Sequence, residues 1–154
     1  MKTRYFCWLD REFIEISAEG RAGAPADVAT AELFQDFEAE LKGHGLSLDY
    51  TARIRVWGRD KDARTLATAA RSKILSGNRK AASSSFISSE WFDSNGTAGL
   101  ELLAVRPVNP NPERRPVDFQ PARNYLCYLG YESVLFFSGF TSDAVTLEEQ
   151  VPDV

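Results

Sequence analysis

The sequence predicts an α+β domain in which one mixed sheet carries two helices on the same face and an extra C-terminal hairpin follows. Three observations lead there. The chain has 154 residues, the size of a single domain that can bury a core of its own. Within the first 105 residues, short runs of alternating apolar residues flank two longer stretches whose apolar residues recur every three or four positions. After Val105 the pattern breaks, because residues 106–121 contain five prolines, too many for a helix interior or a central strand.

The elements follow in order. Residues 4–9 and 12–18 read as two strands joined at Asp10-Arg11, the second placing Phe13 and Glu15 on one face and Ile14 and Ile16 on the other. After a loop with Gly20, Gly23 and Pro25, Asp27 is the expected N-cap of a helix reaching Lys42, with Val28, Ala31, Phe34, Phe37 and Leu41 facing inward. Gly43 and Gly45 close it. The run 50–58 alternates as a strand, with Tyr50, Ala52, Ile54 and Val56 on one face and Arg53 and Arg55 on the other. A second helix is predicted from Asp60 or Asp62 to Ser76, turning Ala63, Leu66, Ala70 and Ile74 inward. Strands over 83–91 and 100–105 complete a ββαβαββ order, separated by a turn at Asp93-Ser94-Asn95-Gly96.

Composition excludes several functions. Eighteen basic and 22 acidic residues leave a net charge of −4, which argues against a general nucleic-acid or anionic-membrane binder. The N-terminal segment meets Asp10, Arg11 and Glu12 before any apolar run long enough for a secretory or membrane segment, so the expected location is the cytoplasm. One histidine, two cysteines, no CxxC, no HExxH, no GxGxxG and no P-loop signature give no reason to expect a metal or cofactor. The lone His44 sits between glycines at a helix end, a poor base for a serine hydrolase, and Cys7 and Cys127 are expected to be buried strand thiols.

The chain also repeats itself. Tyr5-Phe6-Cys7-Trp8-Leu9, followed by Glu12, returns 120 residues later as Tyr125-Leu126-Cys127-Tyr128-Leu129, followed by Glu132. The expected organisation is therefore a core over 1–106, a proline-rich connection over 107–122, and a hairpin over 123–154 that repeats the N-terminal one and pairs with its own sheet or a neighbour's.

Residues 12–105 resemble the Rid (YjgF-like) superfamily. The likeness rests on a strand before an Ala/Pro loop, the helix end Leu41-Lys42-Gly43-His44-Gly45-Leu46-Ser47-Leu48, an arginine-bearing strand with Val56 before Asp60, and the closing strand Leu100-Glu101-Leu102-Leu103-Ala104-Val105. The resemblance implies a chorismate-mutase-like fold, a homotrimer with small-molecule clefts between subunits, and hydrolysis of enamines and imines. It puts Glu101 at the position of a glutamate that activates water, but Ser83 or Ser84 where the family has a carboxylate-binding arginine, and Thr68 near its asparagine. The C-terminal run Leu135–Ser142 is weakly similar to one half of a chorismatase, which implies specialised biosynthesis.

Glu101 is thus the candidate acid/base, the single charge in an apolar strand, standing either on a solvent face or in a cleft where desolvation favours proton acceptance. Arg53, Arg55 and Arg79 are candidates for the displaced anion clamp, Ser83 and Ser84 for substrate hydrogen bonds, and Trp91 for an apolar wall. The functions these support are a small-molecule hydrolase or deaminase, a biosynthetic lyase or isomerase, or a ligand-binding trimer without catalysis.

Overall fold

The computed structural model describes residues 1–77, 79 and 82–108 in full, and the backbones of three later strands at 114–118, 127–131 and 134–138. Strands β1 (Lys2–Trp8) and β2 (Arg11–Glu19) form a hairpin with Trp8 opposite Arg11. Its turn is therefore Leu9-Asp10, one residue earlier than the sequence suggests, with φ of 50° and 57°. Two left-handed residues make a turn whose twist matches the strands, and that outweighs the steric cost at Leu9.

Helix α1 spans Ala26–Gly43. Asp27 does not cap it: Pro25 occupies that position without a side-chain hydrogen bond, and Asp27 lies in the first turn, where its charge still favours the helix dipole. At the other end Leu46 N–H donates to Leu41 O at 2.9 Å and Gly45 N–H to Lys42 O at 3.0 Å, a Schellman closure that uses the positive φ of Gly45. Ala29, Leu33, Phe34, Phe37 and Leu41 are buried, whereas Val28 lies one position off this stripe and is exposed.

Helix α2 (Lys61–Ile74) starts where Asp60 accepts a hydrogen bond from Ala63 N–H at 2.8 Å. Its inner stripe is Ala63, Ala67 and Ala70, small enough to seat the helix close to the sheet, and Leu66, expected inside, is 47% exposed. Between the helices runs β3 (Thr51–Gly58). After α2 come β4 (Ser83–Ser88), three residues shorter than expected, and β5 (Ala98–Val105).

The five strands form one sheet in the order β1-β2-β5-β3-β4, antiparallel except for β3 and β4, which are joined through α2. Ile14, Ile16, Ile54, Val56, Leu100 and Leu102 point towards the helices and make the main core with Phe34 and Phe37. A bulge in β3, where pairing jumps from Thr51–Ala104 to Arg53–Leu103, moves Ala52 off the helix side expected for it. Ala52 packs instead with Phe13, Leu103 and Val105 on the opposite face.

Strands β6 (Arg114–Asp118), β7 (Cys127–Tyr131) and β8 (Val134–Ser138) form a separate antiparallel sheet in that order. The proline-rich connection thus contains a strand. Pro116 is accommodated because β6 is a sheet edge. The two hairpins turn at non-equivalent places, since Cys7 pairs with Glu12 whereas Cys127 pairs with Ser138. Cys7 is exposed on the edge strand β1, not buried as the sequence suggests.

Candidate functional site

The face of the sheet away from the helices is built from lateral rows fixed by strand register. One row runs Lys2, Ser17, Glu101, Arg55, Ser85 from β1 to β4. The row beside it reads Arg4, Glu15, Leu103, Arg53, Ser83, and the next holds Phe6, Phe13 and Val105. On the other side of Glu101 lie Glu19, Gly99 and Trp57. Alternation along each strand therefore gathers Phe6 and Phe13 at one, aromatic end of this face and places Lys2, Ser17, Glu101 and Arg55 towards the other, beside Trp57.

A cavity of about 660 Å³ opens at this second end, lined by Lys2, Ser17, Trp57, Trp91, Phe92 and Glu101 among others. Its size lies within the range of small-molecule sites. Gly99 shapes the floor, because a Cβ there would lie 3.2 Å from the ring edge of Phe92. Arg59 covers that ring at 5.8 Å from its centroid, a cation–π contact that holds Phe92 against the sheet. The loop that carries Trp91 is tied down by Glu19, whose two oxygens accept from Asp93 N–H at 3.1 Å and Ser94 N–H at 2.7 Å. Burial pushes the Glu19 carboxyl up, but the bonds from Ser94 and Asp93, together with the charge of Lys2, outweigh it and hold the group below its ordinary 4.5.

Glu101 lines the cavity with a side chain 18% exposed. Its Oε1 accepts from Arg53 Nη2 at 2.9 Å and from Arg55 Nη1 at 3.0 Å, while Oε2 has a longer contact to Arg55 at 3.3 Å. The structure thus brings Glu101, Arg53, Arg55 and Trp91 together, with the arginines reaching the cavity through Glu101. Arg53 is also the Cα partner of Ser83 on the neighbouring strand, while its guanidinium reaches the other way to Glu101.

Three other candidates lie elsewhere. Arg79 is bound to Asp49 at 2.6 and 3.3 Å, and this pairing holds its guanidinium above the ordinary arginine value. Ser84 faces the helices, where Arg71 Nη2 donates to its hydroxyl at 2.6 Å. Ser83 shares the open face but is not part of the cavity wall. His44 caps α1 and is hydrogen-bonded to Tyr5, whose ring meets it edge-on at 4.9 Å, away from the cavity. Burial, followed by the charge of Glu40, raises the Tyr5 phenol.

Ser17, Trp57 and Lys2 are the residues that sequence reasoning missed. A lone serine in an apolar strand and a lysine at position 2 carry no signal by themselves. Only the β1–β2–β5 register puts both in line with Glu101.

A mixed five-stranded sheet with both helices on one face matches the fold of solved structures of the YjgF/YER057c/UK114 proteins. A protein of Thermotoga maritima superposes with a TM-score of 0.56 at 16% identity, over 66% of this chain and 84% of that one. Rv2704 of Mycobacterium tuberculosis, a member of that family, gives 0.51 at 14% identity, over 61% and 79%. The YjgF-family protein NMB1025 of Neisseria meningitidis gives 0.53 at 13% identity, over 71% and 98%. The chain therefore has the YjgF-type fold. No protein-family model and no curated sequence matches it.

Among the described residues, no helix is long and apolar enough to cross a membrane, and no cluster of three His, Cys, Asp or Glu side chains could hold a metal ion.

Proposed function

We propose that the chain is a divergent Rid protein that binds a small carboxylate-bearing or cyclic metabolite and hydrolyses an imine or enamine in it, with Glu101 as the base. The supporting observation is that Glu101 lies on the cavity wall while two guanidiniums fix its Oε1. Oε2, with one longer contact, keeps lone pairs for a water. In this reading Glu101 takes a proton from that water as the water oxygen bonds to the imine carbon. The proton then passes to nitrogen to complete a carbinolamine; Glu101 next takes the remaining hydroxyl proton and returns it to nitrogen as the carbon–nitrogen bond breaks, so that ammonia leaves and a ketone remains. Arg53 and Arg55 are positioning residues, and Ser17, opposite Glu101 in the ladder, offers a hydroxyl to substrate or water.

The same reading makes the protein a homotrimer whose neighbours cover the open face. Phe6 and Trp8 are 41% and 58% exposed at its aromatic end, which favours burial against another copy. A second reading, ligand binding without catalysis, draws on the engagement of both Arg53 and Arg55 by Glu101, which leaves neither open to grip a substrate carboxylate. Ammonia release from freshly generated imino acids separates the two: the enzyme releases it, and a binding protein does not.

A further inference from the structure

Trp91 combines two properties that rarely meet. It is 89% exposed, yet it lines the cavity beside Trp57 and Phe92. Its loop is held rather than loose, because Glu19 accepts two of its N–H groups and Ser94 Oγ donates to Gly20 O at 3.0 Å. A large apolar ring held at the cavity mouth by an anchored loop is surface that a bound ring can cover.

The charges of the wall give that partner a sign. Glu19 has both oxygens engaged by backbone donors, two arginines compensate Glu101, and Asp93 on the loop is the remaining carboxylate of the wall. Lys2 feels Glu19 at a distance but forms no contact ion pair among the described residues, and its strand partner Ser17 lies between it and Glu101. An anionic group seated at Lys2 and Ser17 gains an ammonium and a hydroxyl without displacing an existing pair. Size points the same way, since a three-carbon acid leaves most of about 660 Å³ to water.

We propose that the cavity selects a planar, ring-bearing anion, with the ring laid on Trp57 and Trp91 and the anionic group held by Lys2 and Ser17. This specifies the substrate class of the site read above and rests on that reading for the site's role, but it is tested by binding alone.

The experiment is calorimetric titration of the full chain with three probes: phenylpyruvate, which has ring and charge; pyruvate, which has charge only; and benzyl alcohol, which has a ring only. The expected result is phenylpyruvate binding at least about tenfold more tightly than either of the others. Trp91→Ala removes the advantage over pyruvate, and Lys2→Met removes the advantage over benzyl alcohol. Equal affinities for the three probes, no binding of phenylpyruvate, or unchanged phenylpyruvate affinity in Trp91→Ala overturns the proposal. So does a fall in assembly mass in Trp91→Ala, which makes the ring an interface residue. Selective binding without ammonia release from any imino acid leaves this proposal standing and removes the catalytic one. Ammonia release without ring selectivity does the reverse.

Discussion

Arg55 stands directly opposite Glu101 in the β3–β5 ladder, and its Nη1 lies 3.0 Å from Oε1, the same oxygen that Arg53 reaches at 2.9 Å. The carboxylate at the centre of an apolar strand is thereby neutralised from one side and open to the cavity on the other.

Removing one arginine leaves the other in place. Arg53→Ala or Arg55→Ala is expected to cost about 1 kcal/mol, near the upper end for solvent-accessible pairs, because both guanidiniums remain partly exposed. The double variant leaves Glu101 uncompensated and is expected to cost more than the two single changes together. Urea denaturation of the three variants checks this; simple additivity would show that the arginines act independently.

Asp60 is the one helix cap with a side-chain bond that the sequence also marks. Asp60→Ala is expected to lower stability by about 0.5–2 kcal/mol, and Asp60→Asn by less, since the amide oxygen still accepts from Ala63 N–H. Asp27→Ala is expected to cost only a few tenths of a kcal/mol, because that side chain caps nothing.

Acid should release the Trp91 loop. The Glu19 carboxyl is held below its ordinary 4.5, so its contribution is complete above that value and is lost as pH falls through the lower, folded-state one. The side-chain carboxyl resonance of Glu19 should titrate with a midpoint below 4.5, and Glu19→Gln should loosen the loop at neutral pH as acid does in the unaltered chain. A midpoint at or above 4.5 contradicts the anchoring role of Glu19.

The open face predicts assembly. Light scattering should give about three times the 17.2 kDa chain mass at micromolar concentration, and Trp8→Glu should reduce it. A stable monomer of the unaltered chain contradicts a trimeric arrangement.

How much of this was legible in the sequence depends on the range of the interaction. Asp60 and Gly45 act on backbone groups a few residues away, so the sequence marks both ends and leaves only the choice between Asp60 and Asp62 to the structure. The ββαβαββ order also followed from local periodicity, and the fold class with it. Ala52 did not, because a bulge is a property of two strands, and the face of everything N-terminal to it depends on that one extra residue. Leu66 misled because α2 packs by its smallest side chains, not its largest. Within the candidate site, Glu101 announced itself as a lone charge, whereas Ser17 and Lys2 acquire meaning only when the N-terminal hairpin aligns with β5, which is remote from it in sequence. Arg79 illustrates the converse: near the serine run in sequence, it is carried by the turn after α2 to Asp49 instead.

The central claim is that Glu101 performs proton transfer in the cavity, and turnover of Glu101→Gln tests it most directly. Ammonia release from a freshly generated imino acid should fall about 10²–10⁴-fold relative to the unaltered chain, with the oligomeric mass and probe binding retained. Undiminished ammonia release by the glutamine variant would contradict the account.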